Sequence, residues 1–473
     1  MKYKNLKGII LFSVLLAGCG GFSAYKWAVD SVFASHGLVV RLDVADENQF
    51  YRIQTDESGV HAATINKSGD IVEEQSFVTE WKNWHKIVSA NPGQYFIYSD
   101  FAHMYPSEPL HIAFVDVEAR VMNENFDLSA LLDGYRFRLE GVTVTQKNEL
   151  VLVGNKYDAT YVNPSKSLIV VVDSAGTVVY THTDPEVGLF FNATSLKNGD
   201  FAVYGSPSLE SGANVGRVFR FNPDHQLITQ IALVEPDDHT GHVRAITDKG
   251  TYFGIHAPNA DTVNLKLIDW QENEKFSADV DDEYFFYLFD NGYFHEFDNG
   301  SFVLGNRDVI EKFDAMGRSV FRYVPAKLVE GHRVIAVGPH DDLFVGYETK
   351  RMSAAPLIAT GTDAAGNPTT KIVLSFSGAT NVGYQQIATD GTLVRKTQEQ
   401  PFKFTAEIDQ VAWEGTFPSY SATVKSVSPG PCKLAGAVVM PDGMLISHSQ
   451  LCDETAVTGG LNSQTPNYTT RAY

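Results

Sequence analysis

The sequence predicts an all-β fold, a single β-propeller of seven blades, and three observations carry that prediction. Short apolar runs recur in pairs along the 473 residues, each pair joined by a polar or Gly/Asn/Asp-containing turn. The pairs fall into two types that alternate. Over most of the chain the pattern returns every 40 to 55 residues, the spacing of a four-stranded blade.

Hairpins of the first type begin at His85, Gly141, Asn192, His242, Tyr293, His332 and Gly436. Those of the second type, with a polar turn after an apolar strand, begin at His61, Leu110, Leu168, Val218, Leu265, Val309 and Gly383. A pair of β-sandwiches does not account for this alternation. The order starts with the second type and ends with the first, so the hairpin near Thr64 and the hairpin at Gly436 are expected to share one blade and close the ring without exposed sheet edges. One gap breaks the spacing. Gly436 follows Arg333 at a spacing of 103 residues, room for an eighth blade or a long insertion.

The last hairpin, "CKLAGAVVMPDGMLISHSQLC" from Cys432 to Cys452, holds two of the chain's 3 cysteines. Pro441-Asp442-Gly443 supplies the turn, and a three-residue loop there places Cys432 opposite Cys452. Opposed residues in an antiparallel ladder have Cα atoms about 4.5–5.5 Å apart, inside the roughly 4.4–6.8 Å window of a disulfide. A cross-strand disulfide is therefore expected, with two separate buried thiols as the alternative, since a slip of one residue turns the two to opposite faces. A disulfide calls for an oxidising compartment.

The N-terminus points the same way. Lys2, Lys4 and Lys7 precede an apolar stretch, Gly8 to Leu15, that is short for a membrane span, and Leu16-Ala17-Gly18-Cys19 follows. This resembles the bacterial lipobox. The resemblance implies acylation of Cys19, cleavage before it and, with Gly20 next, anchorage in the outer membrane. The expected organisation is a signal peptide over 1–18, a lipidated tether over 19–40, the propeller over 41–457 and a flexible polar tail over 458–473.

Composition narrows the partners. Loss of residues 1–18 removes three lysines and takes the formal charge from −20 to −23. Nucleic acid is excluded, because phosphate contacts need a basic surface. A membrane reached through the lipid, and a protein or polysaccharide, remain as partners. No cofactor is implied and no metal: Asp237, Asp238, His239 and His242 could ligate one, but such a loop in an acidic chain reads as solvated. The run from Asp279 lacks the ligand spacing of a calcium loop, and no G-x-S-x-G elbow supports a serine nucleophile. Trp81 and Trp84 read as packing residues.

Alignment of the first-type turns sets Lys86, Gly141, Asn192, His242, Tyr293, Arg333 and Gly436 at one level of the channel. Thr143, Thr194, Arg244 and His295 follow two residues on. Basic and imidazole groups gathered in an acidic chain suit an anion, which Arg meets with a planar fork and His with a titratable donor. Filling of a wet channel with polar groups is the plainer account. The stretch "FHEFDNGSFVLGNRDVIEKFDAMGRSVFRYV", Phe294 to Val324, resembles a blade of bacterial arylsulfotransferases. In that family channel histidines carry and position a sulfuryl group, which makes His242, His295, His332 and Arg333 the candidate catalytic residues. The sequence thus leads to a lipid-anchored binding or scaffolding propeller, with a periplasmic transferase-like or quinoprotein-like enzyme as the alternative.

Overall fold

The computed structural model of the protein describes residues 39–56, 58–79, 81, 84, 86–99, 110–132, 136–157, 164–184, 187–207, 215–234, 240–256, 261–281, 293–305, 309–324, 335–362, 368–397, 400–414, 417–453 and 467–472. Nearly all the described structure is strand; the helix there, Ser129–Leu132, has 4 residues. No helix among the described residues is long and apolar enough to cross a membrane.

The strands form a β-propeller of small antiparallel sheets. Seven sheets have four strands or more, the number of blades the sequence predicts, and a sheet of 3 strands stands beside the first. In chain order the seven blades, 1 to 7, cover residues 39–77, 86–123, 136–182, 187–234, 240–281, 293–323 and 335–428, and the 3-stranded closing sheet over 430–472 is numbered 8 after them for reference. The last strand of a blade lies at the rim, where Ile71–Phe77 and Val178–His182 alternate exposed and half-buried residues. The second is central, as in Leu150–Tyr157, buried along almost its whole length.

The turns explain why the sequence breaks where it does. Between the third and fourth strands of blade 6, Asp314 Oδ1 accepts the Met316 and Arg318 amides at 2.9 and 3.0 Å. Gly317 takes a φ of 75° there, which glycine adopts without strain. Asp173 and Asp269 do the same work in blades 3 and 5.

Each blade packs on the next through an apolar seam. Tyr51, Ile53 and Val60 of blade 1 meet Tyr95 and Ile97 of blade 2, with Trp84, which precedes blade 2, in the same cluster. Val151, Val153 and Ile169 of blade 3 meet Phe190, Phe201 and Phe219 of blade 4. Leu42, Phe50 and Ile65 of blade 1 meet Met440 and Ile446 of blade 8, and the circle is complete.

Ring closure departs from the expectation that the two terminal hairpins share a blade. The hairpin Val39–Val44 with Gln49–Asp56 gives blade 1 its own inner strands, so blade 8 stands beside it as a separate sheet. The turn at Ala45 to Asn48 has no glycine, which hides this hairpin from a glycine-led reading. The tail differs as well: Asn467–Ala472 is a strand paired with Leu445–Cys452, where a flexible tail was expected. Tyr468, Thr469 and Thr470 are residue types that favour strands.

The long gap belongs to blade 7. Its strands Leu343–Thr362 and Pro368–Ile387 have 20 residues each and pair throughout. Phe402–Glu414 and Phe417–Ser428 extend the same sheet, which reaches 6 strands in all. The insertion lengthens and widens a blade rather than adding one.

The disulfide Cys432–Cys452 is present, with Cα atoms 5.7 Å apart. Near the turn the register is as expected, from Val439 opposite Leu445 to Gly436 opposite His448. Two bulges, at Ala435 and at Cys432 itself, then shift the pairing so that Cys452 stands opposite Gly430. One slip turns a side chain to the wrong face, whereas two restore it. Cys432 still reaches Cys452.

Candidate functional site

In a propeller the blades stand around a central channel, with the inner strand of each blade facing it and the tips of the first hairpins at one mouth. On blades 4 to 6 these tips interlock. Lys197 donates its amide to Asp248 Oδ1 at 2.9 Å and its Nζ to Asp298 Oδ1 at 2.5 Å, spanning from blade 4 to blade 6. Lys249 Nζ reaches the Phe297 carbonyl at 3.2 Å. The hydrogen bond from Lys197 holds the exposed Asp298 carboxyl below its usual range.

His295 belongs to this mouth. It is half-buried, edge-on to Phe297 with ring centroids 4.8 Å apart. Burial lowers its pKa, and nearby Asp341, Asp298 and Glu296 oppose that while Lys197 adds to it.

His242 and Arg244 lie on the inner strand of blade 5, Thr240–Thr247. Arg244 occupies a bulge, skipped in the ladder between Val243 opposite Phe253 and Ala245 opposite Tyr252. Bulges re-aim side chains. Here Nη2 donates to the carbonyl of Tyr293 on blade 6 at 2.9 Å and to that of Gly305 at 3.4 Å. Burial pushes the Arg244 pKa down to about 10. His242 is lowered too, first by burial and then by His256.

The other channel positions differ in character. Lys86 is exposed on the inner strand of blade 2, opposite Tyr98. Asn192 is exposed with a φ of 51° where the inner strands of blades 3 and 4 nearly touch. A Cβ on Gly141 would come within 2.8 Å of the Asn192 backbone, so only glycine fits. Thr143 Oγ1 accepts the Ser195 amide at 2.9 Å across the same approach. Tyr293 is half-buried, and burial raises its phenol pKa. Cys19, His332, Arg333, Asp237, Asp238 and His239 lie outside the described residues.

The structure thus places His242 and Arg244 with Tyr293 at the joint of blades 5 and 6, and His295 in a separate acidic setting at the hairpin tips. Sequence reasoning missed His256, whose place beside His242 depends on the register of blade 5. It also missed Arg52 and His448, buried where blades 1 and 8 meet. Trp84, read as a packing residue, is 1% exposed in the core, and Trp81 stacks on His111 at 3.8 Å.

No protein-family profile matches the chain, and neither does any curated protein sequence. Among solved structures the chain is similar to dipeptidyl peptidase 4 of Porphyromonas gingivalis, at 10% identity over 81% of this chain and 66% of that one, with a TM-score of 0.43. It is similar to prolyl oligopeptidase B of Galerina marginata at 12% identity over 80% of this chain and 56% of that one, with a TM-score of 0.37. A protein of unknown function from Bacteroides caccae is similar at 14% identity over 59% of this chain and 94% of that one, with a TM-score of 0.29. This chain spans less than two thirds of the length of either peptidase.

Proposed function

We propose that the chain is a lipoprotein of the bacterial outer membrane, anchored through Cys19, whose propeller is a binding or scaffolding module for a protein or envelope-polymer partner. The observation that carries the binding role is the sheet of blade 7. Strands elsewhere in the ring have 3 to 10 residues, whereas Leu343–Thr362 and Pro368–Ile387 have 20 each. At about 3.3 Å per residue the extra ten residues add roughly 33 Å. A ring of blades is a rigid mount, and an elongated sheet on it extends paired backbone beyond the length of the other blades. Phe417–Ser428 ends the strand order among the described residues, and a terminal strand is where another chain adds by β-augmentation.

Crosslinking in cells tests both halves. The arm is shortened by replacing 354–376 and 407–423 each with Asn-Gly, which leaves Ser353 opposite Ser377 and Ala406 opposite Val424 to close on two-residue turns. The shortened protein is expected to melt like wild type and to lose its crosslinked partner, while Cys19→Ser moves the protein out of the membrane fraction. Retention of the same partner by the shortened protein defeats the arm as the binding element. Fatty-acid label on Cys19→Ser equal to wild type defeats the anchor.

A further inference from the structure

A guanidinium and two imidazoles gather at the inner end of the joint between blades 5 and 6. In the ladder Thr240 stands opposite His256 and His242 opposite Gly254, so both imidazoles lie on one face of blade 5, about 7 Å apart as diagonal neighbours. That face is turned to blade 6. Val243, on the other face, packs with the core of blade 4, whereas Tyr252, in step with Gly254 and His256, packs with Phe302 and Phe313 of blade 6. Arg244 reaches the same side, since its Nη2 is bonded to the carbonyls of Tyr293 and Gly305.

Arg244 is 8% exposed, and its Nε–H has no acceptor. No carboxylate pairs with it among the described residues. A buried guanidinium held only by carbonyl dipoles is costly, and chains retain buried charge where something compensates it. Chance does not favour the arrangement, because acidic residues outnumber basic ones by 57 to 37. His242 and His256 are half-buried and open the cluster to solvent.

We propose that this face binds a small oxyanion, a carboxylate, phosphate or sulfate group on a small molecule, with Arg244 as its anchor and His242 and His256 as flanking donors. The guanidinium fork suits two oxygens of one planar or tetrahedral group, and Nε is the donor left to offer. Imidazoles on either side add hydrogen bonds without a fixed charge. The proposal uses no residue of the arm and does not depend on the lipid, so it survives if either of those readings fails.

The test uses the full chain with its disulfide intact. Phosphate, sulfate and acetate are titrated against it by calorimetry and thermal denaturation, with chloride keeping ionic strength constant. Wild type is expected to bind at least one of the three saturably and to melt higher as that anion is added. Arg244→Met keeps the buried stem and removes the charge. It is expected to melt no lower than wild type in anion-free buffer, and to lose the anion-dependent rise. The double variant His242→Ala, His256→Ala is expected to bind about tenfold more weakly or worse and to melt within about 1 °C of wild type without anion. Absence of saturable binding by all three anions overturns the proposal. So does a double variant that binds like wild type, or an Arg244→Met protein that melts lower yet keeps the anion response, the mark of a purely structural bridge. If Arg244→Met does not fold, the double variant decides.

Discussion

The joint between blades 3 and 4 and the joints around blade 8 make the same kind of contact with different chemistry. Eleven buried apolar residues fill the first, including Phe190, Phe201, Phe219 and Phe221. Five and six fill the two joints of blade 8, with blades 7 and 1. Buried polar groups stand there instead: Glu348, Thr380, Ser447, His448 and Ser449 are each at most 1% exposed, and Arg52 is 7% exposed. Glu348 Oε1 accepts the Leu434 amide at 2.9 Å, and the Tyr384 hydroxyl donates to the Gly436 carbonyl at 3.2 Å, both across the joint of blades 7 and 8. Apolar burial is undirected and holds any neighbours of the right shape, whereas hydrogen-bonded partners hold in one register. Blade 8 joins the end of the chain to its beginning, the one place where the covalent connection does not set the register. Polar partners and a disulfide are concentrated at that place.

The largest expected effect is in the apolar joint. Phe201 is fully buried, and Phe201→Ala removes an aromatic ring from a close-packed seam, at a cost of about 3–5 kcal/mol. Chemical denaturation followed by Trp fluorescence measures it. A loss under about 1 kcal/mol would mean that the seam refills and the contrast between joints is false.

Next comes the disulfide. It closes a loop with a sequence separation of 20, worth about 3 kcal/mol in the loop-entropy account. Reduction should therefore weaken blade 8 before the rest. In hydrogen exchange the amides of Leu445–Cys452 are expected to lose protection on reduction while those of Leu150–Tyr157 keep theirs. Equal loss in both strands would show one cooperative ring rather than a locally stapled joint.

His448 makes the polar joint sensitive to acid. Burial, helped by the Arg52 charge, pushes its pKa down to about 3 from an ordinary 6.5. The unfolded chain thus takes up a proton that the folded chain refuses, so the stability His448 contributes is complete above pH 6.5 and is lost as the pH falls toward 3. The slope is about 1.4 kcal/mol per pH unit for one such group. Denaturant midpoints at pH 7 and pH 5 should draw together in His448→Gln relative to wild type. An unchanged gap assigns the acid loss to other groups, such as the lowered His242 and His295.

How much of this was legible in the sequence follows from what each feature depends on. Alternating hairpins and Asp-led turns are local, and they carried the propeller. Hairpin 39–56 escaped because Ala45 to Asn48 turns without glycine. The disulfide was legible through symmetry about Asp442, although the two bulges that bring Cys432 to Cys452 were not. At the candidate site the levels of His242 with Tyr293 and Arg244 with His295 were readable from turn alignment. The bulge that swings Arg244 into blade 6, and the register that brings His256 beside His242, depend on strand partners and left no mark in the local pattern. The length of the blade 7 strands was visible only as a gap, because an insertion and a further blade occupy the same number of residues.

The smallest effect belongs to the third kind of tie between blades, the ion pair at the channel mouth. Lys197 and Asp298 are separated by 101 residues and joined at 2.5 Å, which on distance alone resembles a clasp across blades 4 to 6. Exposure decides otherwise. Their side chains are 76% and 91% exposed, so water and salt screen the attraction and ordering two mobile side chains offsets what is left. Lys197→Ala keeps the backbone amide that donates to Asp248, the contact at 2.9 Å that does not depend on side-chain charge. Its melting temperature is therefore expected to match wild type at both low and high salt. A drop that appears at low salt and vanishes at high salt would promote the ionic tie to a structural one, and the ring would then be held by charge at its mouth as well as by the packing and the buried polar joints described above.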